Sequence, residues 1–171
     1  MVSHKLATLA YIVCNNEILL LFRNKKGEND FHREKYIGIG GRLEPGETPL
    51  ECILRELKEE TGYSLSPEEI KFRGYIYFDE INRNKLTEDL PAFNWLVFLY
   101  YVHVTKKNEF INPEGDLHWI SVDKIPYERM WAGDRIFTPK LLETKEVIEA
   151  KFLYHGEEII NWSFGRKTYH E

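Results

Sequence analysis

Residues 41–63 read GRLEPGETPLECILRELKEETGY, and this stretch decides how the rest of the chain is understood. Thr48 precedes Pro49 and stands three residues before Glu51, so its hydroxyl and the Glu51 carboxylate can each satisfy an unpaired amide of a first helical turn. Proline suits the first helical position, where no backbone donor is needed. Gly62 can take the left-handed conformation that closes a helix, so the spacing predicts a helix from Pro49 to about Thr61. At about 100° per residue, Leu50, Ile53, Leu54 and Leu57 share the side that faces a core. Glu56, Glu59 and Glu60 gather on another side, where three like charges repel. A solvated acidic face with Arg55 and Lys58 as surface partners would account for that helix in isolation.

The flanks point elsewhere. Gly40 and Gly41 let the backbone come close to a ligand just before the helix, and the Pro45-Gly46 turn brings Glu47 to its mouth. Carboxylates and a backbone carbonyl are hard oxygen donors that suit Mg²⁺ or Mn²⁺, completed by water and phosphate oxygens. The substrate class that follows is a polyphosphate. Gly41, Glu47, Arg55-Glu56-Leu57, Glu59-Glu60, Gly62 and the apolar Tyr63 occur at spacings that together resemble the Nudix box, with every fixed position matched. The resemblance implies a Nudix fold, an α/β architecture with a mixed β-sheet in an α/β/α sandwich. It also implies metal-dependent attack of water on a diphosphate linked to some moiety X. Gly41, Glu56, Glu59 and Glu60 are then the expected metal ligands, and Glu56 or Glu59 the expected general base. Arg55 is expected to orient Glu59 or Glu47. Some family members use a further acid from a distant loop, for which Glu80, Glu88, Asp89 and Glu114 are candidates. Cys52, one turn before Glu56, reads as a small packed thiol.

The 171 residues are 43% hydrophobic and 14% aromatic, enough for one well-filled core and too little for two ordinary domains. A single domain over 1–171 is expected, with the box at 41–63 and a frayed tail from about 165 to 171. Net charge is −5 with the signs mixed, which disfavours nucleic-acid polymers and anionic membranes as partners. No apolar run approaches a membrane span, and no secretory cleavage pattern opens the chain. Cys14 and Cys52 make no disulfide framework. The expected location is the cytoplasm. Oligomeric state is not legible.

Leu6–Val13 and Ile18–Phe22 are β-leaning and flank Asn15-Asn16, a hairpin turn. Arg23–Lys35 reads as an exposed polar loop, His32 included. Tyr36–Ile39 returns to strand character and delivers Gly40. Pro67–Ile70 predicts a helical turn, and Lys71–Asp79 a strand in which Phe72, Gly74, Ile76 and Phe78 alternate against Arg73, Tyr75 and Tyr77. Asn82–Pro91 reads as a loop, and Phe93–Val104 and Leu117–Ser121 as strands. Thr138-Pro139 predicts a helix start, running to about Val147. Phe152–Tyr154 and Ile159–Trp162 form a last hairpin around His155-Gly156.

The C-terminal half carries a second resemblance. Trp119-Ile120, Ile125-Pro126-Tyr127, Met130-Trp131, Asp134, Phe137 and Pro139-Lys140-Leu141-Leu142 resemble the MutT-type branch that hydrolyses oxidised purine nucleoside triphosphates. In that branch the matching tryptophan stacks on the purine, which assigns Trp131 to the base; the plain alternative is a rim aromatic. Gly40, Glu47 and Asp134 join it as expected substrate-binding positions. The chain departs from the branch at Gly133, where a second aspartate is usual, and at Ile37, where the base-reading asparagine stands. Neither side chain offers a hydrogen bond, which predicts little preference for 8-oxo-dGTP over dGTP. Three functions are thus weighed. They are a nucleoside triphosphatase releasing monophosphate and pyrophosphate, a hydrolase of another X-linked diphosphate, and a silent nucleotide-binding module. The intact glutamates argue against the last, and the tryptophan segment favours the first.

Overall fold

The computed structural model describes residues 4–80 and 94–170. The Asn82–Pro91 loop, with Glu88 and Asp89, and the side chain of Glu80 fall outside the described residues.

The helix drawn from the box forms as its sequence dictates. Helix α1 spans Pro49–Thr61, capped by Thr48 and Glu51 in a reciprocal pair and closed by Gly62 at φ 72°. The Glu51 amide donates to the Thr48 hydroxyl at 3.3 Å, and the Thr48 amide donates to the Glu51 carboxylate at 2.8 Å. Ile53 and Leu57 are fully buried, as their spacing requires.

Among the described residues a nine-stranded mixed sheet packs against it. In chain order the strands are β1 (His4–Cys14), β2 (Glu17–Phe22), β3 (Tyr36–Ile37), β4 (Ile70–Glu80), β5 (Asn94–His103), β6 (Asp116–Ser121), β7 (Ile148–His155), β8 (Glu158–Phe164) and β9 (Lys167–His170). They lie side by side as β3-β2-β1-β5-β4-β7-β8-β9, with β6 on the other edge of β2. Two pairings are parallel, β1 with β5 and β4 with β7.

Both faces of the sheet are covered, which is why its inner strands are apolar at consecutive positions. Ala7, Tyr11, Ile18, Leu20, Val97 and Leu99 pack on one face with Phe137 and Leu141 of helix α2 (Asp134–Glu143). Ala10, Ile12, Leu19, Leu21, Tyr100 and Val102 pack on the other with Ile53 and Leu57 of α1. The two helices thus sandwich the sheet.

Four readings of the sequence are corrected. Helix α2 starts at Asp134, not at Thr138-Pro139, and ends at Glu143, with Pro139 inside it. Thr138 is fully buried and its hydroxyl bonds the Tyr11 hydroxyl at 3.1 Å, so it does not cap; burial of Phe137 and Leu141 outweighs the proline penalty. In β4 a bulge between Phe72 and Gly74 switches the faces, leaving Phe72 49% exposed and Arg73 buried. The tail expected to fray contributes β9, paired with β8. The 23–35 loop is exposed over residues 24–29 as read, but its His32 is half-buried, and buried Arg23 grips Asp30 through Nε and Nη2, each at 3.0 Å. Among the described residues no helix is long and apolar enough to cross a membrane.

Candidate active site

The glycines before α1 run antiparallel along β1. The Thr8 amide donates to the Gly41 carbonyl at 2.8 Å, and Ala10 and Ile39 exchange hydrogen bonds at 2.6 and 2.9 Å. This approach excludes side chains: a Cβ on Gly40 would lie 2.1 Å from the Thr8 carbonyl oxygen, and one on Gly41 would lie 2.2 Å from Oε1 of Glu56. Gly41 is therefore a glycine because the Glu56 carboxylate lies against it.

The Gly40 amide donates to Oε2 of Glu60 at 3.1 Å, tying the loop to the last turn of α1. Glu60 is 8% exposed, and burial, with the Glu56 charge beside it, pushes its carboxyl up to about 8. Burial also raises Glu56, against the pull of Arg55. The β5–β6 loop then brings in a third carboxylate. Asn108 and Asn112 donate to the terminal α1 carbonyls of Thr61 and Glu60 at 3.1 and 3.0 Å, and this anchorage sets Glu114 within the field of both glutamates. Among the described residues Glu114 lines this site; the other three distant candidates, Glu80, Glu88 and Asp89, lie outside what is described of side chains.

Arg55 organises the outer side. It donates to both Glu47 oxygens at 2.6 and 3.0 Å, to Glu56 at 2.8 Å, to Glu59 at 3.2 Å and to the Arg42 carbonyl at 3.2 Å. That clamp holds the Glu47 carboxyl down at about 2. Glu59 faces away from the cavity, toward a shallow depression beside Leu54 and Phe110. Burial raises the Cys52 thiol to about 11, which keeps it an inert packed group beside Thr8.

Glu56, Glu60 and Glu114 line a cavity of about 990 Å³, the size of a nucleotide-class site. Trp131, Phe31, Ile37, Asp134, Phe78 and Tyr154 line it as well. Trp131 is held firmly: Phe31 stacks on it with centroids 4.5 Å apart, the Lys35 ammonium lies 4.5 Å from its ring, and its Nε1–H donates to Nδ1 of His32 at 2.9 Å. His32, read from sequence as solvated, is instead half-buried, and burial lowers its pKa to about 4 so that it stays a neutral acceptor. Asp134 accepts from the Trp131 amide at 3.2 Å, and burial raises its carboxyl to about 7. The Gly133 amide donates to the Tyr154 hydroxyl at 2.7 Å. Tyr154 and Phe31 were missed in the sequence. The alternation of Ile148, Ala150, Phe152 and Tyr154 in β7 is a signal that would have marked the first; none marked the second.

Glu56 and Glu60, buried side by side, offer oxygen donors to a cation, while Glu114 is already paired with Arg23 and Lys26. Among the described residues no three acidic, histidine or cysteine side chains converge enough to enclose a metal by themselves. The set therefore fits a hard divalent ion that takes few protein ligands and fills its shell with water and substrate oxygens.

Residues 3–141 match the family model described as the NUDIX domain. An oxidized purine nucleoside triphosphate hydrolase from Danio rerio is 28% identical over 94% of this chain and 93% of its own length. One from Mus musculus is 30% identical over 85% of each chain. The crystal structure of a MutT protein from Bacillus halodurans superposes with a TM-score of 0.76 at 22% identity, covering 95% of this chain and 99% of that one. The chain belongs to the Nudix family and is a pyrophosphohydrolase.

Proposed function

We propose that the protein is a Mg²⁺-dependent hydrolase that cleaves purine (deoxy)nucleoside triphosphates, oxidised ones included, to monophosphate and pyrophosphate. The observation that carries this reading is that one cavity is lined both by Glu56, Glu60 and Glu114, suited to a charged tail and its metal, and by Trp131, Phe31 and Asp134, suited to a base. The names of the two vertebrate relatives support the same substrate class.

Glu56 and Glu60 would hold the metal from α1, while Glu59, turned away from the cavity, pairs with Arg55. The Gly41 carbonyl, the backbone ligand expected from the sequence, already accepts from the Thr8 amide at 2.8 Å and is approached by the Thr8 hydroxyl and the Cys52 thiol at 3.5 and 3.7 Å. When bound, Mg²⁺ neutralises phosphate charge and lowers the pKa of water. Arg55 fixes the Glu56 and Glu47 carboxylates so that little reorganisation is needed as water attacks the anhydride. Glu56, facing the cavity, is better placed than Glu59 to take the proton of that water. Trp131 and Asp134 hold the base. Both cysteines are free and buried, in keeping with a cytoplasmic setting.

The test is a Mg²⁺-dependent panel of nucleoside triphosphates, nucleotide sugars and dinucleoside polyphosphates, scored for the phosphorus product. Monophosphate with pyrophosphate is expected, with 8-oxo-dGTP preferred over dGTP by about tenfold or less, the worth of one hydrogen bond. Turnover confined to nucleotide sugars or dinucleoside polyphosphates would replace this reading by that of another X-linked diphosphate hydrolase.

A further inference from the structure

Gly133 has φ −65° and ψ −33°, a right-handed helical conformation that any residue adopts, so its backbone does not call for glycine. Space does. A Cβ placed there would lie 2.6 Å from the Tyr154 hydroxyl, while its next neighbours, Phe78 and Phe152, stand at ordinary contact distances of 3.5 and 3.6 Å. The hydroxyl of Tyr154 thus fills the spot that a side chain at 133 would take, and the 2.7 Å hydrogen bond from the Gly133 amide holds it there.

The oxygen is engaged as an acceptor, but among the described residues its proton has no acceptor. Tyr154 is 8% exposed and lines the cavity beside Asp134 and Trp131. Burial and the neighbouring Asp134 raise its pKa, so the phenol keeps its proton at neutral pH. It is a fixed donor with an unspent hydrogen, aimed at the base end of the site.

We propose that Tyr154 is a base-selecting residue, donating its O–H to a base carbonyl in place of a side chain at position 133. The inference rests on the nucleoside triphosphate reading above. A fixed donor favours a purine that presents a carbonyl, as guanine does, over one that presents an amino group, because two donors face to face leave both unpaired. A polar contact is therefore regained at the position where the sequence, with Gly133, lacks one.

The experiment measures kcat/KM for dGTP and dATP with the full chain and Mg²⁺. The wild type is expected to favour dGTP, and Tyr154→Phe to lower that ratio by about tenfold, one hydrogen bond. Gly133→Ala should lower it similarly by displacing the hydroxyl, and this repeats the test should the Phe variant not fold. The double variant Gly133→Ala/Tyr154→Phe removes the clash, so its ratio should equal that of Tyr154→Phe and its Tm should be no lower than that of Gly133→Ala. Turnover of both nucleotides with an unchanged ratio in Tyr154→Phe would overturn this inference alone. A double variant less stable than either single one would overturn the shared-space argument. No turnover of any nucleoside triphosphate by the wild type would overturn both this inference and the function it rests on.

Discussion

Arg55 grips Glu47 with two parallel hydrogen bonds, 2.6 Å from Nε and 3.0 Å from Nη2, while its remaining nitrogen spans Glu56 and Glu59. One planar guanidinium thereby fixes an acid from the loop against two acids of the helix. A lysine offers a single ammonium on a flexible stem and is no substitute for this fork. Arg55→Lys is expected to fold normally, to lose turnover by about 10- to 100-fold and to need more Mg²⁺, as for outer partners of metal ligands. Turnover titrated against Mg²⁺ checks it, and an unshifted curve with normal kcat would reduce the clamp to a surface ion pair.

Glu60→Gln and Glu56→Gln should each abolish turnover by orders of magnitude while leaving the fold intact. A glutamine at 60 can still accept from the Gly40 amide, and it removes a desolvated charge that repels Glu56. Its Tm in chelator should accordingly match or exceed that of the wild type. Glu59→Gln is expected to lower turnover by at least about 100-fold too. Near-normal turnover there would confine Glu59 to its pairing with Arg55.

Trp131→Ala should weaken nucleotide binding by roughly 1–3 kcal/mol, the worth of stacking a base on an aromatic ring. Titration of nucleotide into the non-cleaving Glu60→Gln background, with and without the second change, isolates binding from chemistry. Equal affinity in the two proteins would make Trp131 a packing residue of the rim.

Asp134 gives a pH signature with a definite sign. Its folded pKa of about 7 lies above the ordinary aspartate value of 3.8, so in that window the folded state holds a proton that the unfolded state has lost. Stability is therefore fully present below pH 3.8 and is lost as pH rises toward 7. Asp134→Asn retains an acceptor for the Trp131 amide and removes the titration. Relative to the wild type it should gain roughly 1–4 kcal/mol between pH 4 and pH 8. Denaturant unfolding at the two pH values measures it, and parallel stabilities would show that the carboxyl ionises without cost.

Much of this architecture was legible because local and long-range demands coincide. In α1 the Thr48–Glu51 cap, Pro49, the Ile53–Leu57 face and Gly62 all specify one helix with one orientation, and the glutamates follow from it. For α2 the two demands conflict. Thr138-Pro139 reads locally as a helix start, yet Phe137, Thr138 and Leu141 have to meet Tyr11, and only the folded sheet reveals that. Within the 23–35 loop only His32 misled, for a related reason: RNKKGENDFHREK has a solvent-facing composition and is mostly exposed, but His32 accepts from Trp131 across 99 residues. Position 133 shows the same limit. Its glycine reads as a missing side chain until Tyr154, 21 residues on, is seen to occupy the space.

The parallel pairing of β1 with β5 bears on how the site comes into being. His4 lies opposite Asn94 and Val13 opposite His103, so each contact closes a loop of about 90 residues. Such non-local pairing slows folding. The Gly40–Gly41 segment leans on the free edge of β1, and β1 gains its other neighbour only when β5 docks. Helix α1 can form early from its own caps, but Glu114 joins Glu56 and Glu60 only once β5 has docked and the β5–β6 loop is anchored on the end of α1. Refolding should therefore show helical signal ahead of hydrolytic activity, with the catalytic centre among the last parts of the molecule to mature.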